Sequence, residues 1–272
     1  MLCNQGPALR IGATLLCALV LVACGGDNDD KNAGAAATPV ASTGQVDAKF
    51  QPTENVQMWA MLDRGPDPGG GAPLVQQDDG SYRSLRAYRD DELFVLDAPS
   101  DTRVGAIAGD ATFAIGSWVG KVIRNGKELD SATGLSYAVF NQSGTIGANG
   151  TLACTPRTTS PRMASGVAET MIGAGRLTIN NRIVTATVDL KFKDSDGVET
   201  PLRMTQVFTD ANIDVAEQNA SGLFDTNITS PQFAINFGDG APGGHLLVVP
   251  WRIPSTKGEL NGITVLVCKR AG

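Results

Sequence analysis

His245 is the single histidine of this 272-residue chain. It follows Gly243-Gly244 and opens the apolar run Leu246-Leu247-Val248-Val249. Beside Asp239 it would serve as a general base only if a serine approached from elsewhere in the fold. No G-x-S-x-G elbow supplies one, so His245 reads as the first residue of a strand. One histidine and two cysteines left for pairing do not build a closed zinc site. Gly238, Gly240 and Gly243 match G-x-G-x-x-G in form. A dinucleotide site needs a helix after the glycines, to set its N-terminus on the phosphates. Pro242 and the following Leu-Leu-Val-Val run predict a turn and a strand instead. No cofactor is therefore expected.

Arg83, Arg86 and Arg89 are the candidate ligand residues. On a helical turn they would form one stripe able to meet an anionic headgroup or a sugar acid. On a strand they would scatter over both faces, and Asp90, Asp91 and Glu92 follow to neutralise them. Asp27, Asp29 and Asp30 lack the glycine-centred loop and closing glutamate of a calcium site. They read as part of a solvated linker. Carboxylate pairs able to cleave glycosides leave no trace in linear spacing. Aromatic residues are only 6% of the chain, so a sugar-stacking groove has little material. Trp59, Trp118 and Trp251 fall in expected strands and are read as core.

The first residues carry the most specific signal. A short polar head ends at Arg10, and residues 11–23, IGATLLCALVLVA, are apolar or small. That stretch is about 20 Å long as a helix, short of a bilayer core of about 30 Å. It has the layout of a secretory signal. Leu21-Val22-Ala23-Cys24 resembles the lipobox of bacterial lipoprotein precursors. The resemblance implies cleavage before Cys24, diacylation of its sulfur, and a membrane partner held through N-terminal acyl chains. Gly25 after that cysteine, where aspartate would favour inner-membrane retention in this class, implies the outer membrane. Residues 24–53 then form a lipidated N-terminus and a disordered tether, small and polar throughout.

With Cys3 and Cys17 lost in the signal and Cys24 acylated, Cys154 and Cys268 remain as an even pair in an oxidising compartment. They are expected to form a disulfide; the alternative is two separate buried thiols.

The body, 54–272, alternates with period two. In 182–192, Val184, Ala186, Val188, Leu190 and Phe192 share one face, and Thr185, Thr187, Asp189 and Lys191 the other, as in a half-buried antiparallel strand. Asn180-Asn181 is the expected turn before it. Other expected strands are 56–62, 93–97, 111–115, 117–124, 135–141, 150–155, 176–179, 202–208, 232–237, 245–251 and 262–268. Asn125-Gly126 marks a hairpin. Segment 63–81 reads as a long loop, and Asp210–Gln218 as one or two helical turns. The fold class is all-β: an antiparallel meander closed into a small barrel or sandwich. One domain is preferred; a boundary near 156–166 would give two.

The body also loosely resembles the small β-barrel domains of surface lipoproteins of the transferrin-binding-protein type, through its Gly-rich meander after a polar tether. The formal charge of −6 excludes nucleic acid as a main partner. The expected function is a non-enzymatic, envelope-anchored binding or structural module with its protein or small-molecule partner unspecified. The alternative is an envelope hydrolase using a carboxylate pair.

Overall fold

A computed structural model describes residues 46–62, 65–89, 91–143, 145–161, 170–193, 197–209, 232–242, 244–255 and 258–270. The signal and most of the tether lie outside the described residues, as does the expected helix Asp210–Gln218.

The first sheet contains β1 (Val56–Leu62), β2 (Gly65–Gly70), β3 (Ser84–Arg89), β4 (Glu92–Asp97), β5 (Arg103–Asp110), β6 (Phe113–Arg124) and β7 (Lys127–Asn141). Its order is β4-β3-β2-β1-β7-β6-β5, and β4 also pairs with β6. The contact runs through Leu96↔Arg124 and Asp97↔Ile123, so the sheet closes into a ring with β5 outside it. The hairpin tip makes this closure. Asn125 and Gly126 both take positive φ, the geometry that matches strand twist in a two-residue loop. Asn125 then accepts the Val95 N–H on Oδ1 at 2.8 Å and donates its own N–H to the Val95 carbonyl at 2.9 Å.

The second sheet contains β8 (Gly150–Pro161), β9 (Thr170–Asn180), β10 (Ile183–Lys193), β11 (Glu199–Thr209), β12 (Gln232–Phe233), β13 (Asn236–Asp239), β14 (His245–Ser255) and β15 (Gly258–Arg270). It runs β11-β10-β9-β8-β15-β14-β12, with β13 also on β14, and forms a half-barrel. Every strand pair in both sheets is antiparallel. The expected all-β fold is the one observed, with no helix among the described residues.

Alternation divides the apolar residues into three cores. Met58, Ala60, Leu85, Ala87, Leu96, Trp118, Val122 and Tyr137 fill the ring. Leu177, Val184, Ala186, Val188, Leu190, Leu247, Val249 and Trp251 fill the half-barrel. The opposite faces of β1, β6, β7, β14 and β15 meet between the sheets, where Trp59, Ile115, Phe140, Leu246, Val248 and Val265 pack together. A strand exposes alternate residues to opposite faces, so continuous runs such as Leu246–Val249 are what a strand covered on both sides requires. The change from one sheet to the other falls between Asn141 and Gly150, ahead of the 156–166 region, which begins inside β8.

Segment 63–81 is not the plain loop expected from its Gly and Pro content. Its Gly65–Gly70 portion is β2, with Pro66↔Met61 and Pro68↔Trp59 in register. Alternate residues point their N–H groups to the same side, so two prolines in one frame remove donors along a single edge. Correspondingly, β2 meets β3 only through Gly70↔Tyr88. The turn expected at Asn180-Asn181 lies one residue later, at Asn181-Arg182, both with positive φ. An Asn180-Asn181 turn would set Ile179 opposite Arg182; the observed register sets it opposite Val184, joining two core residues.

β5 also went unread in the sequence. Its pairing with β6 shifts register between Gly105 and Ala108, and Ala106 sits in the bulge at φ 48°. A residue with a Cβ pays to hold that conformation. Ala106→Gly is expected to raise stability by about 0.5–1 kcal/mol after the entropy cost of glycine. Thermal unfolding checks this, and a lowered midpoint would contradict it.

Candidate functional site

Cys154 and Cys268 are joined in a disulfide that spans 114 residues. They are direct cross-strand partners on β8 and β15, which brings their Cα atoms to 3.9 Å. Both side chains point into the half-barrel. Cys24 lies outside the described residues.

The three arginines do not form one stripe. Arg83 precedes β3 and donates from Nη1 to the carbonyls of Pro99 and Thr102, both at 2.9 Å, holding the β4–β5 connection. Arg86 is exposed on the outer face of β3, and Arg89 takes the register position opposite Glu92. Beside Arg86, Tyr88 and Leu93 face each other across β3 and β4, 51% and 46% exposed. A three-residue spacing gathers side chains on a helix but alternates them on a strand.

Gly238 belongs to β13 and is followed, after the turn, by β14 rather than by a helix. His245 opens β14. It pairs with Asp239 on one side and Cys268 on the other, and its ring lies 4.7 Å from that of Phe237, centroid to centroid. Its Nδ1 is buried with no hydrogen-bond partner among the described residues. Burial depresses its pKa below the ordinary 6.5, and the nearby Asp239 carboxylate only partly offsets this. Segment 145–149, which sequence reasoning passed over, covers this end of the sheet. A methyl group placed on Gly147 would lie 3.1 Å from Nε2 of His245. The two residues are far apart in the chain, and no linear signal connects them.

The polar atoms of the ring interior are engaged in structure. Trp118 Nε1 donates to the Tyr82 carbonyl at 2.8 Å, and the Tyr82 N–H donates to the Tyr137 hydroxyl at 3.0 Å. Burial pushes both tyrosine hydroxyls up, so they stay protonated. Trp251 Nε1 donates to Thr264 Oγ1 at 3.0 Å. All three tryptophans are fully buried. Every Asp and Glu side chain whose burial is described is at least partly exposed, and among the described residues no group of three His, Cys, Asp or Glu stands close enough to hold a metal ion.

Contacts with the body begin before Glu54. Val46 bridges Gly109 in parallel, Phe50 is buried in the ring core, and Asn141 accepts the Thr53 N–H while donating to the Gln51 carbonyl. Asp47 pairs with Arg157 of β8. The tether therefore enters the molecule beside β5 and β8.

No protein-family model matches the chain, and no curated protein matches its sequence. Among solved structures, it is similar to the vaccine antigen Transferrin Binding Protein B from Haemophilus parasuis Hp5, crystallised as a tryptophan-to-alanine mutant. That match has a TM-score of 0.33 and 9% identity, covers 79% of this chain, and spans less than half, 46%, of the other.

Proposed function

We propose that the chain is a lipoprotein of the bacterial outer membrane, anchored through acyl groups on Cys24, whose β body is a non-enzymatic binding or structural module. The observation that carries the second half is the use of the interior. Apolar side chains fill both the ring and the half-barrel, while the described carboxylates lie outside the buried core. A polar cleft with convergent carboxylates is what a hydrolase of this class would need. The recognition surface is then the outer walls of the sheets.

The lipobox at Leu21–Cys24 and the polar stretch after it support the anchoring. Two acyl chains bind a bilayer stably where one does not.

Cys24→Ser is expected to abolish incorporation of a labelled fatty acid and to leave unprocessed precursor or soluble protein. Undiminished labelling of that variant would remove the anchoring. Incubation of the purified protein with peptidoglycan and oligosaccharide fragments is expected to give no products. Turnover in that assay would overturn the non-enzymatic reading.

A further inference from the structure

We propose that His245 is an acid-sensitive latch for the strap Thr145–Asn149, and that protonation of its ring releases the strap from the end of the second sheet. The strap is fastened at several points. Ser143 Oγ donates to the Thr145 carbonyl at 2.9 Å. Ile146 packs on the half-barrel core. Arg270 Nη2 donates to the carbonyls of Ala148 and Asn149 at 3.1 and 3.2 Å. Asn149 Oδ1 accepts the Asn181 N–H at 3.0 Å.

His245 lies beneath Gly147, with Ile179 close to the same point and Phe237 against its ring. Of all these contacts, only that with His245 involves a group that titrates near neutral pH. The buried Nδ1 without a partner is the physical cause of the sensitivity. A neutral ring leaves one nitrogen unsatisfied at modest cost, whereas an imidazolium must place a second N–H and a full charge in the same apolar setting.

The charged groups around the ring are few. Asp239 of β13 is its register partner and favours the protonated form. Lys269 and Arg270 follow Cys268 on β15, and Arg270 is bonded to the strap. On β9, Leu177 and Ile179 face inward while Arg176 is exposed, and the strap carries no ionisable side chain. Desolvation outweighs Asp239, so the closed state binds its proton less tightly than the open state. The contribution of the neutral ring is therefore fully present above the ordinary pKa of 6.5 and is lost as pH falls through the depressed value. Release uncovers Ile146, Ile179 and Phe237.

Amide hydrogen exchange of the full chain tests the latch, with rates at about pH 7.5 and about pH 5.5 each divided by the intrinsic chemical rate. In the wild type, the strap is read through the Asn181 N–H, which Asn149 Oδ1 holds while the strap is closed; its corrected exchange is expected to rise several-fold on acidification, since each unit of pKa depression is worth about tenfold in the opening equilibrium. His245→Phe keeps a ring against Phe237 and removes the titration, so its strap should show no rise. Asp239→Asn removes the group that favours the protonated ring in the closed state, so its acid response should exceed that of the wild type. A wild-type strap indifferent to pH, an unchanged response in His245→Phe, or a response in Asp239→Asn no larger than the wild type's would each overturn the latch.

Discussion

Replacing Cys154 and Cys268 together with serine is expected to lower the unfolding free energy by about 2–5 kcal/mol. The bridge closes 114 residues, and the chain-entropy model assigns a loop of that size about 4–5 kcal/mol at room temperature. Its position adds a reason. β15 joins β8 to β14 in the middle of the second sheet, so its loss would part the sheet into two. The covalent tie at Cys268 sits near its C-terminal end, opposite β8. Against a typical total of about 5–15 kcal/mol, the loss is large. It should appear as a fall of about 4–20 °C in thermal midpoint for a body of this size. Reduction of the wild-type protein should reproduce the same fall. A reduced protein with an unchanged midpoint would show that the sheet's pairing and packing hold β15 without the bond.

Trp118→Ala should cost about 3–5 kcal/mol, the range for removing a large aromatic side chain from a core. The indole is fully buried in the ring, 5.3 Å from the Tyr137 ring by centroids. It also satisfies the Tyr82 carbonyl, and the Tyr82 N–H is bonded to Tyr137. The three aromatics therefore bear on one another, and truncating Trp118 leaves a cavity together with an unsatisfied buried acceptor. Trp118→Phe separates the two effects. It keeps much of the volume and removes the donor, for an expected cost of about 1–3 kcal/mol. Chemical denaturation of both variants checks the order. Equal losses for Ala and Phe would assign the whole effect to the hydrogen bond. A negligible loss for Phe would assign it to packing.

The linear order of residues determined the strand content, because alternation of apolar and polar side chains is a local property with period two. Val184 to Phe192 was legible for this reason, and all five alternate side chains are buried in the half-barrel. The hairpin at Asn125-Gly126 was legible because only a few residue types accept its backbone angles. The disulfide between Cys154 and Cys268 was expected because they are the pair left after export and acylation, and the facing strands β8 and β15 supply its geometry.

Tertiary structure alone decided the rest. β2 was hidden because its sequence GPDPGG has no strand propensity and is held by its neighbour β1. β3 and β5 were hidden by arginines and by a bulge. Closure of the ring through β4 and β6, and division of the apolar residues into two interiors and an interface, depend on which strands meet after long excursions of the chain. His245 shows the same limit at the candidate site. Its identity was visible as the single histidine, but its orphaned Nδ1, its packing on Phe237 and the strap above it come from segments distant in sequence. Burial and contact are properties of three-dimensional neighbours, and for this residue they, not the motif around it, determine the chemistry.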